Sequence, residues 1–475
     1  MIERLAITPQ FAPTLMVPPH TDNRLVHFVG IAGAGMSALA ELFIRRGYTV
    51  TGCDTNVAAA ADLARLGVQV SEGHDPSHVE GASEVVVTSA VNRDHPELMR
   101  AISLGIPVTR RAEALGRAVA GGELVGVAGT HGKTTTTVMT TEALKSAGLE
   151  PTGVAGGRVG AWNGNLSQGS DRLFVVEADE YDRSFLALAP TVAVVTNMEA
   201  DHLDIYPGGI SEIREAFAQF VAGARTIVLC ADDAGARTLP VPNSAEIIRY
   251  GTQSPESRLL AGDMVSVDGG TRFGLTYDGK SIGQLQLAVP GQHNVRNALA
   301  AVATGIALGV TLEAMSAGLA AFAGVERRFQ RLGDVAGVTI IDDYAHHPTE
   351  IVATIEAARS AFPSRRLVAA FQPHLYSRTR DFHVEFGNAL ALADAVYLCD
   401  LYPAREKPVA GVSSGLIADV MAGLGKAPAW RGPRAESAAA LHASVIDGDV
   451  VITIGAGDIT RTGPELRSLL RLSQG

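Results

Sequence analysis

The sequence predicts an α/β protein made of three successive segments, each built on a doubly wound parallel sheet. Short apolar runs alternate with helical spacers, and the alternation restarts near residues 25, 124 and 331. The first two restarts run directly into glycine-rich turns, GIAGAGMS at 30–37 and GTHGKTTTT at 129–137. Strands separated by helices imply parallel pairing, because a parallel crossover has room for a helix and a tight hairpin does not.

In the first segment, strands are expected at 25–29, 48–52, 68–70, 85–88 and 107–108, and the unit closes near the Ala120-Gly121-Gly122 break. The second opens with a strand at 124–128, the glycine-rich turn and a helix to Ala147. It continues through strands at 173–176, 192–196 and 226–229. Residues 264–289 read as hairpins, with turn signals at Asp268-Gly269-Gly270 and Asp278-Gly279, before an apolar helix after Asn294. The third segment carries strands at 338–341, 367–371, 395–398 and 450–454. The implied domains are 23–121, 122–330 and 331–475, with the proline-bearing residues 1–22 as a loose tail.

A chain of 475 residues exceeds one ordinary domain, and its net charge of −11 argues against nucleic acid or an anionic membrane surface as partner. Residues 298–312 form the longest weakly polar stretch and read as a buried helix, not a membrane span. The N-terminus has no signal-peptide pattern, and Cys53, Cys230 and Cys399 have neither zinc spacing nor a disulfide framework. Both points fit a cytoplasmic protein.

The chemistry centres on residues Gly129-Thr130-His131-Gly132-Lys133-Thr134-Thr135, set between a strand and a helix. Glycines let backbone N–H groups curl around phosphate oxygens, and the helix N-terminus favours negative charge. Lys133 supplies a point charge to β- and γ-phosphates, and the Thr134 hydroxyl can hold Mg²⁺. A full Walker spacing would place glycine at 127, where this chain has Val127, so the loop is the shorter form opening at Gly129. Only four other lysines occur, Lys145, Lys280, Lys407 and Lys426, which makes casual surface charge a poor explanation for Lys133. Two further groups, Glu177-Ala178-Asp179-Glu180 and Glu199-Ala200-Asp201-His202, follow expected strands and so project from the same carboxyl edge. They are candidate ligands for Mg²⁺ bridging ATP to a substrate.

Together these residues resemble the Mur ligase superfamily. The resemblance extends through VHFVGIAGAGMS (26–37), GTHGKTTTT (129–137), EADEYD (177–182), NMEADHLD (197–204), PGQHNVRNALAA (290–301), GVERRF (324–329), DDYAHHPTE (342–350), FQPHLYSRT (371–379) and GAGDI (455–459). It implies a Rossmann-like N-terminal UDP-binding domain, a central P-loop ATPase-like domain and a Rossmann-like C-terminal domain for an incoming amino acid. It also implies ATP-dependent ligation of L-alanine to the lactyl carboxylate of UDP-N-acetylmuramate through an acyl phosphate. A family member that recycles a murein tripeptide is the alternative.

Residue roles follow from the same resemblance. Gly30, Ala32, Gly33, Gly35, Met36, Ser37, Asp54 and Ser89 fall on the UDP-substrate site, although Asp54 also reads as a turn residue. Residues 129–135 with Asn294, Asn297, Arg327 and Asp343 fall on the ATP site, Asn294 and Asn297 being helix caps in the alternative reading. Thr134, Glu177 and His202 fall on the Mg²⁺ site, and Tyr344, His346 and Arg378 on the amino-acid site. Lys133, Glu177, His202, His346 and Arg378 are the expected catalytic set. Arg378 suits a carboxylate clamp, because guanidinium binds carboxylate bidentately. Arg328 reads as solvated, and the His346-His347 pair as a candidate base for the amine. Many relatives carry arginine where this chain has Leu375. A carbamylated lysine used by sister ligases is replaced by Phe217, which fits the alanine-adding branch. The spacing Gly30-x-x-Gly33-x-Gly35 departs from the dinucleotide pattern G-x-G-x-x-G, which sets a nicotinamide-dependent oxidoreductase far behind.

Overall fold

The computed structural model describes residues 24–88, 91–203, 205–404 and 406–473. The tail 1–22 and Ser89 lie outside them. The described residues form three sheets. The first holds β1 (Leu25–Val29), β2 (Thr49–Asp54), β3 (Gln69–Glu72), β4 (Glu84–Val87) and β5 (Val108–Arg110), in the order β3-β2-β1-β4-β5. All its pairings are parallel. Helices Ala34–Arg45, Ala61–Arg65 and Pro96–Ser103 lie in the crossovers, and Arg111–Val119 follows β5.

The second sheet contains β6 (Glu123–Ala128), β7 (Thr152–Val159), β8 (Gly164–Ser167), β9 (Leu173–Glu177), β10 (Val192–Val195), β11 (Thr226–Cys230), β12 (Glu246–Gly251), β13 (Leu259–Val267), β14 (Gly270–Tyr277) and β15 (Lys280–Leu287). Its order is β15-β14-β13-β12-β11-β10-β6-β9-β7-β8. β6 lies between β10 and β9, parallel to both, with Ala128 opposite Val195 and Val127 opposite Glu177. That register brings the ends of three apolar strands to one edge. Val125, Val127, Val175 and Val194 are fully buried, as continuous β-branched runs in a two-sided sheet should be.

The third sheet contains β16 (Gln330–Val335), β17 (Val338–Asp343), β18 (Leu367–Phe371), β19 (Ala395–Cys399), β20 (Trp430–Gly432) and β21 (Val450–Ile454). Its order is β16-β17-β21-β18-β19-β20, and only β16 runs antiparallel to its neighbour. By backbone proximity the chain forms two compact units. One extends to Asp263 and adds Phe273–Leu285 and Val295–Phe322; the other takes Met264–Arg272, Gln286–Asn294 and the chain from Ala323 onward.

Some elements depart from the sequence reading. β7 and β8 were not expected, because TGVAGGRV and GNLS lack both an apolar run and clean alternation. The apolar stretch 298–312 is not one helix. The helix Gln292–Ala307 stops before Gly309, which adopts φ +76°, and a new helix starts at Leu312. No described helix is long and apolar enough to cross a membrane.

Phe217 lies in the helix Ile210–Val221, fully buried, with its ring 5.2 Å from that of Phe185, which stacks on Phe220 at 5.0 Å. The side chain at the carbamate position is therefore a core residue. Phe217→Ala is expected to lower unfolding free energy by about 3–5 kcal/mol, measured by urea denaturation. A loss under about 1 kcal/mol would contradict this packing role.

Candidate functional site

Each sheet gathers one group of the expected residues at its carboxyl edge. In the first, Gly30 follows β1 at φ +78°, a conformation that favours glycine, and its N–H and that of Ile31 bond the Cys53 carbonyl at 2.9 and 3.1 Å. Gly33 ends the turn and caps the helix that starts at Ala34. Asp54 accepts hydrogen bonds from the backbone N–H groups of Ala32 at 3.0 Å and Asn56 at 2.8 Å. Its carboxylate therefore shapes the turn. Ser37 donates to the Gly33 carbonyl at 2.8 Å, and the Met36 side chain is buried. A residue missed by the sequence reading is Arg111: a Cβ placed on Gly35 would come within 2.9 Å of its guanidinium. Gly35 thus leaves room for a cation beside the first helical turn.

At the second edge, Gly129 has φ +140° and lies so close to Thr196 that any Cβ would collide with Oγ1. Gly132 has φ +79°, and a Cβ there would meet Asn297 Oδ1 at 2.6 Å. The loop between them is clamped by Asn197, whose Oδ1 accepts from the His131 N–H at 2.7 Å while Nδ2 donates to the His131 carbonyl at 3.0 Å. Thr196 Oγ1 donates to the same carbonyl at 2.7 Å, and Thr130 Oγ1 accepts from the Glu199 N–H at 2.9 Å.

Lys133 opens the helix Lys133–Ser146 and donates to the Gly129 carbonyl at 2.8 Å and to Glu180 Oε2 at 2.7 Å; Asp179 is 3.6 Å away. Burial alone would push its pKa down, but Glu180 and Asp179 outweigh that and hold the ammonium firmly charged. Thr134 donates to Glu177 Oε1 at 3.0 Å, and the Gly156 N–H of β7 donates to Glu177 Oε2 at 2.5 Å. Burial raises the carboxyl pKa of both Glu177 and Glu180, against the pull of Lys133. His202 adopts φ +54°, a strained conformation for histidine, and its Nε2 lies 3.7 Å from Glu180 Oε1. The structure thus joins Lys133, Thr134, Glu177 and His202, and adds Glu180 as the carboxylate between lysine and histidine. Glu180 and Asn197 belong to segments the sequence singled out, but which members face the loop was not readable there. Gly156 gave no signal at all.

Neither Asn294 nor Asn297 caps the helix, which begins at Gln292. Asn294 Nδ2 donates to the Pro290 carbonyl at 2.7 Å, and Asn297 Oδ1 accepts from Thr136 Oγ1 at 3.2 Å. Asn297 therefore braces the phosphate-loop helix.

At the third edge, Arg327 adopts φ +60°, donates to the Gly455 carbonyl at 2.6 Å, lies 3.3 Å from Asp342 and covers the Tyr344 ring at 4.7 Å. Arg328 is not simply solvated: it pairs with Glu350 at 3.3 Å and also faces Tyr344. Asp343 accepts from the N–H groups of Phe329 at 2.7 Å and Ala345 at 2.8 Å. His347 caps the helix Pro348–Ala361. His346 Nδ1 lies 3.0 Å from the Tyr344 carbonyl oxygen. A carbonyl only accepts, so this contact puts the proton on Nδ1 and leaves Nε2 as the basic nitrogen. Arg378 is buried in the first turn of the helix Tyr376–Leu390. Leu375, at the position where relatives carry arginine, precedes that helix at φ +71°.

Three α/β sheets, each presenting its glycine turns, carboxylates and basic groups at strand ends, define a modular nucleotide-dependent enzyme, and the chain belongs to the Mur ligase family. Residues 25–122 match the model of the Mur ligase family, catalytic domain; 127–305 match the Mur ligase middle domain; 327–457 match the Mur ligase, glutamate ligase domain. The chain is 43% identical over 459 residues to the UDP-N-acetylmuramate–L-alanine ligase of Laribacter hongkongensis, covering 94% of this chain and 98% of that protein. It is also 43% identical to the ligase of the same name from Paenarthrobacter aurescens, over 92% of this chain and 95% of that one. Among solved structures, the UDP-N-acetylmuramate–alanine ligase MurC of Thermotoga maritima superposes with a TM-score of 0.81 at 30% identity, covering 94% of this chain and 99% of that chain. A murein peptide ligase of Psychrobacter arcticus gives 0.68 at 26% identity, covering 94% and 98%.

Burial raises the Asp343 carboxyl from 3.8 to about 6, more than Arg328 and the two backbone donors lower it. The folded state therefore holds this proton more tightly than the unfolded chain. The stabilisation is complete below about pH 4 and disappears as pH rises through about 6. The stability of the wild type relative to Asp343→Asn is expected to fall by an amount on the order of 3 kcal/mol between these limits. Denaturation midpoints across pH measure it, and a flat difference would show that Asp343 titrates normally.

Proposed function

We propose that this chain joins L-alanine to the lactyl carboxylate of UDP-N-acetylmuramate, converting ATP to ADP and phosphate, as a step of peptidoglycan precursor synthesis. The names of the two relatives at 43% identity, each matched nearly end to end, support the substrates. The chemistry rests on one observation above all: a charged lysine at a helix N-terminus, inside a glycine loop and beside the buried carboxylate of Glu180. We place the reaction in the cytoplasm, where ATP and nucleotide-linked sugars are available.

The carboxylate is a poor acyl donor because its leaving group would be oxide. Transfer of the γ-phosphoryl of ATP to the carboxylate oxygen releases ADP and makes phosphate the leaving group. The amine of alanine then attacks the acyl carbon, phosphate departs, and the amine proton passes to a base. Lys133 and the N–H groups of residues 129–135 hold the β- and γ-phosphates, and Arg327 is the ATP contact of its own segment. His346 Nε2 is the base offered by the third domain, and Arg378 the carboxylate clamp. The turn at 30–37, with Arg111 beside it, binds the diphosphate of the UDP-sugar, and Asp54 positions that turn.

The donors at the second edge suit magnesium. Thr134 and Glu177 supply hard oxygen ligands, and Glu180 Oε1 is buried without a hydrogen-bond partner among the described residues. Thr134, Glu177 and His202 would hold the ion, which would neutralise charge on the transferring phosphoryl.

Lys133→Ala is expected to lower turnover by at least about 10²-fold while UDP-N-acetylmuramate binding persists, which also reports a folded variant. A near-normal rate would remove Lys133 from the mechanism. With ¹⁸O in the substrate carboxylate, label should appear in released phosphate; its absence excludes the acyl phosphate. Phosphate release with alanine, glycine, serine and a murein tripeptide tests the acceptor, and preference for the tripeptide would favour the recycling reading.

A further inference from the structure

One group of ligating side chains lies wholly inside the first domain, away from the phosphate loop. Glu97 is the second residue of the helix Pro96–Ser103 and is fully buried against the sheet. Around its carboxylate converge Cys53 Sγ at 3.1 Å, His78 Nδ1 at 2.7 Å, His74 Nδ1 at 3.3 Å and His95 Nδ1 at 3.8 Å. Cys53 and His74 are themselves 3.3 Å apart. Underneath, His27 in the middle of β1 uses Nδ1 against Thr51 Oγ1 at 2.9 Å, and its Nε2 is buried with no hydrogen-bond partner among the described residues. One ligating atom from each of His27, Cys53, His78 and Glu97 lies within 4.8 Å of the other three.

We propose that His27, Cys53, His78 and Glu97 bind one divalent cation of the zinc class, with His74 and His95 closing the outer side. The donor set is two imidazoles, a thiolate and a carboxylate, which zinc takes in tetrahedral geometry. With zinc bond lengths of about 2.0–2.3 Å, neighbouring tetrahedral ligands stand about 3.4–3.6 Å apart. Among the four ligands, Glu97 stands 3.1 Å from Cys53 Sγ and 2.7 Å from His78 Nδ1, a little inside that spacing, and every remaining pair lies within 4.8 Å, so about an ångström of side-chain movement closes the site. Charge also balances: thiolate and carboxylate together neutralise a divalent ion, so a buried anion is exchanged for a neutral centre. Binding moves the Cys53 thiol proton to solvent as the sulfur–metal bond forms, with no change of oxidation state.

The topology explains why no local motif announces the site. β1 and β2 are adjacent parallel strands with His27 opposite Thr51, so His27 and Cys53 share one sheet face. The helix Pro96–Ser103 and the single turn Pro76–Val79 cover that face, bringing Glu97 and His78. Cys53 adjoins Asp54, so a cation here would brace the strand end whose next carboxylate shapes the 30–37 turn. Its role would be positional. It is separate from the magnesium at the ATP site, and the experiment distinguishes the two.

The full-length protein, freed of metal by a chelator and dialysed, is titrated with Zn²⁺ and separately with Co²⁺ in excess Mg²⁺. One equivalent of Zn²⁺ should bind despite the magnesium. The Co²⁺ protein should show a thiolate-to-cobalt charge-transfer band and the strong visible bands of four-coordinate cobalt. Cys53→Ser should abolish the charge-transfer band, and Glu97→Gln should weaken Zn²⁺ binding by at least about tenfold, within the range for a lost metal-site contact. Failure of the wild type to retain zinc, or a cobalt spectrum without thiolate character, overturns the proposal whether or not the variants fold. So does a charge-transfer band that survives in Cys53→Ser.

Discussion

The close approach of Gly129 to Thr196 is the constraint on which the central site depends. Two parallel strands, β6 and β10, end side by side, and the chain leaving β6 must pass where a side chain would strike the residue leaving β10. Removing that side chain lets Thr196 and Asn197 grip the His131 peptide from both sides. The loop is therefore shaped by the neighbouring strand, not by its own glycines alone. With the loop fixed, Lys133 begins its helix at one defined place, and its ammonium meets Glu180.

The electrostatics of this edge are unbalanced within the protein. Asp179 and Glu180 face one lysine, Glu177 lies half-buried beside them, and desolvation raises the pKa of both glutamates. A group of partly desolvated carboxylates tolerates its own repulsion poorly, and a divalent cation relieves it more fully than one ammonium can. The strained backbone of His202 and the Glu180 oxygen that lacks a hydrogen bond among the described residues belong to the same edge. Both stand at the ends of strands whose interiors, at Val125, Val127, Val175 and Val194, are fully buried and apolar.

The first and third sheets repeat the device with different polar groups. Asp54 reaches across from β2 to hold the turn after β1, and Asp343 reaches from β17 to hold the backbone at Phe329 and Ala345. In both, a carboxylate that ends one strand fixes a segment distant in sequence. A position at a strand end suits a ligand contact or a positioning role, which is why Asp54 read as both from sequence, and the hydrogen bonds of Asp54 and Asp343 show the positioning role.

Much was legible before the fold was known. Apolar runs of four to six residues located most central strands, because strands buried on both faces need no polar alternation and stand out from their flanks. Gly129, Gly132 and Lys133 identified the phosphate loop, because backbone N–H convergence demands glycine and a helix start. β7 and β8 escaped, since glycine-rich strands at a sheet margin carry little apolar signal, and with them went Gly156 as partner of Glu177. The sequence by itself determined the three-part α/β plan and the positions of the charged strand ends, because both depend on local pattern and chain order. Only the tertiary structure decided that Glu180 pairs with Lys133, that Asn197 clamps the loop, and that His27, Cys53, His78 and Glu97 meet. Those contacts join residues up to 70 positions apart through strand register, and register is set by the packing of whole sheets.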